Sequence, residues 1–192
     1  TNEIVFPAGI LQSPFFNKDA DDAVNYGAIG VVIAHEVTHG FDDKGRMFDA
    51  RGNLKEWWTK EDAERYNARA AAIVEQFNRY EVMDSLFING ELTQGENIAD
   101  LGGLTISYNA FKKTEQGKSE TLIDGLTPDQ RFFLSYAKVW MIKTTNEALR
   151  QQVLTDPHPP SKYRVNGPLE NMPSFYTAFA LKPGDALYKP DS

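Results

Sequence analysis

The segment His35-Glu36-Val37-Thr38-His39 carries three side chains that can act together on one metal ion. On a helix, residues four apart lie on the same face one turn from each other, so the two imidazoles can bind a single zinc ion. The glutamate beside the first histidine is then within reach of a water molecule at the metal and can act as a general base. Two unrelated histidines on a core helix are the alternative interpretation.

A catalytic zinc ion needs a third protein ligand and a position left open for water. The chain has no cysteine and only one other histidine, so a carboxylate is the best candidate. Glu96 and Asp100 lie one helical turn apart. We expect Glu96 to bind the metal and Asp100 to accept a hydrogen bond from the far nitrogen of a ligand histidine. Two solvated acids at a helix start are the alternative, and the upstream motif favours the ligand assignment.

Two other metal-binding patterns are excluded because residues at required positions do not match. Metzincins continue the zinc motif with a glycine and a third histidine, and those positions here hold Asp42 and Gly45. A calcium-binding loop of the EF-hand type over residues 42–53 fails because Lys44 and Arg51 occupy ligand positions.

The elements that must position these residues are predicted to be mainly helical. A helix over residues 21–39 carries the first motif, and Gly40 is a natural stop in the left-handed conformation. The apolar run 29–34 predicts that this helix is buried. A second site helix covers roughly residues 96–113, and Gly102 with Gly103 predicts close contact with a neighbouring helix.

Further helices and loops follow from capping signals and prolines. Thr59 with Asp62 predicts a helix start, with apolar spacing as far as Tyr80, and Thr127 begins another helix that extends to about residue 152. Residues 1–20, 41–56 and 114–126 are predicted to be irregular, with a short hairpin or loop in 41–56. The proline-rich last forty residues are predicted to be mostly loop, with a short helix near 174–179. Apolar residues expected to be buried in the first segment are Ile4, Val5, Phe6, Ile10, Leu11, Phe15 and Phe16.

Composition limits the class of protein. A chain of 192 residues is long enough for one domain with a real core. A net charge of −7 argues against a nucleic acid as the main partner. The absence of cysteine excludes disulfides and fits both cytosol and bacterial cell envelope or periplasm. No apolar run is long enough to span a membrane, and the start at Thr1 indicates a piece of a longer polypeptide.

Several separate motifs, in order along almost the whole chain, resemble the neprilysin family of zinc metallopeptidases, which includes endothelin-converting enzyme and bacterial oligopeptidases. The two longest are His-Glu-Val-Thr-His-Gly-Phe-Asp-Asp and Gly-Glu-Asn-Ile-Ala-Asp-Leu-Gly-Gly. The others lie at residues 6–12, 25–27, 57–58, 139–140 and 162–167.

The resemblance implies a fold and an activity. The fold would be a thermolysin-like gluzincin catalytic domain, mainly α with a small hairpin or sheet. Residues 1–192 would form this single domain, without the N-terminal helical domain that roofs the site in family members. The activity would be zinc-dependent cleavage of internal bonds in small peptides, with a preference for large apolar residues on the primed side. One Zn²⁺ per chain and peptide substrates are the implied cofactor and partners.

The resemblance also assigns roles to single residues. His35, His39 and Glu96 would be zinc ligands, and Glu36 would be the catalytic base. Asp100 would support a ligand histidine, and Asp42 would be a further acid that supports a ligand. His158 would stabilise the transition state, and Arg164 would bind a substrate main-chain carbonyl. The primed-side pocket would be lined by Ile10, Phe15, Val31, Val32, Val139 and Trp140, which the residues alone would place simply in the core.

Two rival functions remain at this point. The first is a helical domain that zinc merely stabilises, which would need a fourth protein ligand. The second is an unrelated zinc hydrolase such as an aminopeptidase, which would need a carboxylate cluster to hold the amino terminus of its substrate.

Overall fold

The computed structural model describes residues 2–189 of the chain, which are mainly helical with one small sheet, as predicted. The two strands pair antiparallel, with Glu81 opposite Phe87 and Met83 opposite Leu86. Within these residues the elements are α1 (Asp22–Asn25), α2 (Val31–Thr38), α3 (Lys60–Asn78), β1 (Glu81–Met83), β2 (Leu86–Phe87), α4 (Gln94–Phe111), α5 (Glu115–Lys118), α6 (Pro128–Val139), α7 (Asn146–Thr155), α8 (Ser161–Leu169) and α9 (Pro173–Ala178).

The predicted helix over residues 21–39 is confirmed as a continuous helical path. Asp21 begins it, because its side chain accepts the backbone N–H of Val24 at 3.2 Å. A π-helical turn, Tyr26–Gly30, joins α1 to α2. The α-helix ends at Thr38, close to the predicted end, but the predicted left-handed conformation of Gly40 is wrong: Gly40 does not have a positive φ and lies in a 3-10 turn, His39–Phe41.

Helix α2 buries one face only, so the expectation that this helix is buried is met on that face and not on the other. Val31, Ala34 and His35 are buried, whereas Ile33 is 43% exposed and Val37 is 52% exposed. The buried face packs against α4. A helix that contacts one layer of neighbours leaves its opposite face in solvent, whatever its composition.

The predicted close contact at the paired glycines of α4 is confirmed. A Cβ atom added to Gly103 would lie 2.8 Å from the backbone nitrogen of His35 and 2.8 Å from the carbonyl oxygen of Val31. A Cβ atom added to Gly102 would meet Thr38 at 2.7 Å. Because no side chain separates the two backbones here, the two site helices approach closely enough for their polar side chains to meet.

The helix starts are mostly where capping signals predict them. The backbone N–H of Asp62 binds the hydroxyl of Thr59 at 3.1 Å, and Thr127 with Gln130 forms a complete capping box at α6. Helix α3 ends before Tyr80, and α4 begins two residues earlier than predicted. The short α5 lies inside a predicted loop. Segment 41–56 has a single antiparallel bridge, between Phe48 and Leu54.

The predicted long helix from residue 127 to 152 is wrong. Helix α6 ends at Val139, and α7 begins only at Asn146, where the hydroxyl of Thr145 accepts the N–H of Ala148. A threonine that accepts a backbone N–H favours a helix start over a helix interior. Trp140 at the break turns onto the guanidinium of Arg164, with 4.1 Å between the charged carbon and the ring centroid.

The description of the last forty residues as mostly loop missed one helix, α8. Helix α8 is largely buried, and Tyr163, Arg164 and Leu169 are on its buried side. The prolines before it end at Pro160, the residue that precedes the first turn, where a missing N–H costs nothing. The short helix predicted near 174–179 is confirmed as α9.

The main core is an aromatic cluster that joins α4, α6 and α9. Phe111 stacks on Phe132 at 5.5 Å between ring centroids, and Phe133 meets Phe175 edge to face at 5.4 Å. These four rings are almost completely buried. A second cluster of Phe77, Ile88 and Tyr163 attaches α8 to α3 and the segment after β2.

Residues 2–20 are irregular apart from a short 3-10 turn, Ala8–Ile10, as predicted, but less buried than expected. Ile4, Val5, Leu11 and Phe16 are exposed, whereas Ile10 and Phe15 are half-buried against the rest of the chain. In the part of the chain that the structure describes, no helix combines the length and the apolar character needed to cross a membrane.

Candidate active site

Helices α2 and α4 bring three donor groups together. The Nε2 atoms of His35 and His39 lie 2.9 Å apart. The Glu96 carboxylate lies 3.4 Å from each of them, through Oε2 towards His35 and Oε1 towards His39. All three donor atoms lie within 4.8 Å of one another. Among residues 2–189, this is the one group of His, Asp or Glu side chains spaced to hold a metal ion.

Two further acids orient the imidazoles. The Nδ1 atom of His35 lies 2.8 Å from Oδ1 of Asp100, and Nδ1 of His39 lies 2.7 Å from Oδ2 of Asp42. Asp42 is itself fixed, because its other oxygen accepts the backbone N–H groups of Lys44 and Gly45 at 2.9 and 2.6 Å. A neutral imidazole has one N–H, so a proton held at Nδ1 leaves the lone pair at Nε2.

Buried charges of opposite sign dominate the electrostatics. Burial raises the pKa of Asp100, but the Arg164 guanidinium and His35 outweigh burial and hold that pKa below its usual range. Burial likewise lowers the pKa of His35, and the carboxylates of Asp100 and Glu96 outweigh it and raise that pKa to about 9. The centre therefore strongly favours positive charge.

This donor set fits zinc. The two Nε2 atoms and the Glu96 carboxylate lie close together, and when each imidazole carries its one proton at Nδ1, none of the three donates to the others. Ligands in a tetrahedral zinc site lie about 2.0–2.1 Å from the ion and hence about 3.3 Å from one another. The observed separations of 2.9–3.4 Å are close to that value. His35, His39 and Glu96 could therefore hold one zinc ion per chain.

A cleft of about 430 Å³ opens over this centre. Glu36, His158 and Arg164 lie in its lining together with the three donors. Glu36 is exposed to solvent there. The structure also brings all six predicted pocket residues to the cleft walls, namely Ile10, Phe15, Val31, Val32, Val139 and Trp140.

Arg164 is almost fully buried and nearly fixed in place. Its Nε and Nη2 atoms donate to the two oxygens of Asp100, each at 2.8 Å, and Nη2 also donates to Glu96 at 3.1 Å. The indole of Trp140 covers one face of the guanidinium. Within the described residues no protein acceptor contacts Nη1, so this nitrogen can donate to a molecule in the cleft.

His158 stands at the rim of the same cleft. Its Nδ1 lies 2.7 Å from Oδ1 of Asp156, which also accepts the backbone N–H of His158 at 2.8 Å. Hydrogen bonds from that N–H and the ring hold the pKa of Asp156 below its usual value. The other nitrogen, Nε2, lies 3.3 Å from Oε1 of Glu96. Because Nδ1 faces Asp156, the imidazole presents an N–H at Nε2 to the centre when both ring nitrogens carry a proton.

Sequence reasoning missed Asp156 and Tyr136. The signal for Asp156 was its position two residues before His158, a spacing at which an aspartate can bind both the following backbone and the ring. Tyr136 lies three and four residues before Val139 and Trp140, so helical spacing alone would have put it on the same face as those two.

Comparison with known proteins assigns the chain to a family. A family model described as Peptidase family M13 matches residues 1–192. The endothelin-converting enzyme homolog of Locusta migratoria is 46% identical over 189 residues, which are 97% of this chain and 26% of that protein. Neprilysin-3 of Drosophila melanogaster is 45% identical over 190 residues, which are 97% of this chain and 24% of that protein.

A solved structure agrees with these relatives. The crystal structure of the Mycobacterium tuberculosis zinc metalloprotease Zmp1 in complex with an inhibitor matches at 43% identity with a TM-score of 0.95. The match covers 99% of this chain and 30% of that one. This chain spans about a quarter of the length of the curated relatives that it matches. The resemblance drawn from the motifs is confirmed, and the chain belongs to peptidase family M13.

Proposed function

We propose that this chain is the catalytic part of a zinc-dependent endopeptidase that cuts internal bonds of small peptides. One observation carries the proposal: two imidazoles and one carboxylate converge on a single point in a cleft that also contains Glu36. The names of the relatives support it, since one of the matching structures is of a zinc metalloprotease.

Glu36 is the proposed general base. When bound at the three donors, zinc supplies Lewis-acid chemistry, because it makes water a nucleophile near neutral pH and polarises the scissile carbonyl. Glu36 takes a proton from the water molecule while the oxygen of that water bonds to the carbonyl carbon. The same carboxyl group then gives the proton to the amine nitrogen as the carbon–nitrogen bond breaks. Its exposure to the cleft supports this role.

His158 and Arg164 are the proposed substrate-binding donors. His158, held by Asp156, donates a hydrogen bond to the carbonyl oxygen as negative charge develops on it. Arg164 donates from Nη1 to a main-chain carbonyl of the peptide, and its other nitrogens are already held by Asp100 and Glu96. A rigid donor loses little freedom when it binds.

The proposed preference is for a large apolar side chain on the primed side. The cleft walls beside the donors are mainly apolar, which supports this choice.

The rival functions lack support among the residues that the structure describes. The donor group has three members rather than four, and the cleft acids Glu96 and Asp100 already contact His35 and Arg164. No carboxylate pair is left there for an amino terminus.

Cleavage of a peptide blocked at both ends tests this function. We expect the zinc-loaded protein to cut an acetylated and amidated peptide on the amino side of phenylalanine or leucine. Replacing that residue with alanine should lower kcat/KM by about tenfold or more, because an apolar pocket discriminates by buried area. Mass spectrometry of the products locates the cut. Release of terminal residues only, or no hydrolysis at stoichiometric zinc, would contradict the proposal.

We also propose that residues 1–192 act as one catalytic domain beside a further part of the polypeptide. Ile33 and Val37 lie on the exposed side of α2, Phe41 lies in the 3-10 turn that follows it, and the three are 43–52% exposed. A mainly apolar groove of about 780 Å³ lies nearby, between α3 and α4. Exposed apolar surface of this extent is typical of an interface. Hydrogen exchange at residues 33–41 should slow when the chain is part of a family-length polypeptide, and equal exchange would contradict this.

Replacing His158 with alanine is predicted to reduce turnover more than substrate binding. The loss of one donor to a developing oxyanion costs about a hundredfold to a thousandfold in kcat. KM and zinc content should change little, because this side chain is not among the three donors. Steady-state kinetics with metal analysis measure both. The control is Gln152→Ala, which loses only a contact to the backbone carbonyl of His158. A raised KM with unchanged kcat would contradict the assignment.

A further inference from the structure

One face of α6 contacts the cleft and the arginine at once. Tyr136, Val139 and Trp140 have helical spacing of three and four, so they lie on the same side of α6, and all three line the cleft. Trp140 covers the guanidinium of Arg164. Tyr136 lies deeper: its side chain is 0% exposed, and its hydroxyl donates a hydrogen bond to the backbone carbonyl oxygen of Arg164.

A proline in α8 explains why the carbonyl oxygen of Arg164 can accept a hydrogen bond from Tyr136. In an α-helix the carbonyl of residue 164 accepts the N–H of residue 168. Residue 168 is proline, which lies inside α8, is fully buried and has no N–H. The Arg164 carbonyl therefore lacks its normal helical partner, and a buried carbonyl without a partner is costly. The Tyr136 hydroxyl supplies the missing donor from the neighbouring helix.

This hydrogen bond fixes the backbone from which the guanidinium extends. The carbonyl is held by α6, the guanidinium edge is held by Asp100, and its face is held by Trp140. These three restraints limit the orientations that the guanidinium, and with it Nη1, can take. We propose that Tyr136 is a positioning residue that orients Arg164 for binding of a substrate main-chain carbonyl. This inference rests on the proposed function of the site.

Tyr136→Phe is the direct test, because it removes only the hydroxyl. In a zinc-loaded Glu36→Gln background, calorimetry gives the Kd of a blocked peptide with leucine on the primed side. We expect Tyr136→Phe to raise that Kd by about three- to tenfold, the size of one lost buried hydrogen bond. The control is Tyr163→Phe, on the same helix as Arg164, which also loses a hydroxyl bound to a backbone carbonyl, that of Glu81. This variant should leave Kd unchanged.

Two further variants distinguish an effect that acts through Arg164 from a general loss of structural order. In an Arg164→Lys background, Tyr136→Phe should cause no further change in Kd. With Ala in place of Pro168, which restores an N–H four residues after Arg164, the effect of Tyr136→Phe should shrink. An unchanged Kd in Tyr136→Phe, or the same increase in the Arg164→Lys background, overturns the inference. Failure of the Glu36→Gln protein itself to bind the peptide would instead refute the proposed function.

Discussion

Glu36→Gln is expected to keep its zinc and to lower kcat by about a thousandfold, the middle of the range that general acid–base catalysis contributes. Glutamine keeps the size and one oxygen of glutamate but cannot take a proton from water. Zinc content should stay at one per chain, because His35, His39 and Glu96 supply the converging donors and Glu36 is not one of them. KM should change little, since the substrate contacts of the cleft are preserved.

Single-turnover kinetics on the blocked peptide, with metal content measured on the same preparation, test this expectation. Glu61→Gln is the matched control, because Glu61 is an exposed residue in the first turn of α3 and is not part of the cleft. It should behave as the unmodified protein does. If Glu36→Gln with full zinc kept more than about a tenth of the original kcat, the base would have to be another group.

The donor centre could be predicted from the sequence because its geometry is mostly local. Helical spacing alone sets His35 one turn from His39 and Glu96 one turn from Asp100. The only long-range fact needed is that α2 and α4 touch, and the glycines at 102 and 103 indicated that contact. Local rules and one packing signal therefore predicted that these side chains lie close together, as they do.

The positions of Arg164 and His158 depend on long-range contacts that local sequence patterns do not encode. Arg164 reaches Asp100 across 64 residues of sequence, from a helix that a proline-rich composition argued against. Only family resemblance named Arg164 and His158. Composition was misleading because the prolines next to α8 stand before its first turn, and the one inside it stands in its last turn, where they interrupt few hydrogen bonds.

The break between α6 and α7 shows the same limit. The sequence analysis extended one helix through residues 140–145, but Trp140 contacts the charged Arg164, and Thr145 starts a new helix. Tertiary contacts and a side-chain cap outweighed propensity there. The exposed side of α2 was missed for a related reason, because an apolar run cannot tell which neighbours a helix has.

Glu96→Ala is expected to abolish stable zinc binding. With the carboxylate removed, two imidazoles remain, fewer than the three protein ligands of a catalytic zinc site. Loss of an outer residue that orients a ligand costs about tenfold to a hundredfold in metal affinity, so loss of a ligand should exceed about a hundredfold. The contact from Arg164 to Glu96 is lost as well, but Asp100 still holds the guanidinium through two hydrogen bonds.

The measurement does not depend on peptide hydrolysis. A ligand that binds only the folded state raises the unfolding temperature. Added zinc should therefore raise the thermal midpoint of the unmodified chain and leave that of Glu96→Ala unchanged, and elemental analysis after dialysis should find metal in the first only. Glu91→Ala, three residues before α4 and exposed, is the control and should retain zinc. A Glu96→Ala chain that still held one zinc ion would show that the third ligand lies elsewhere, and the pairing of α2 with α4 as a metal centre would be wrong.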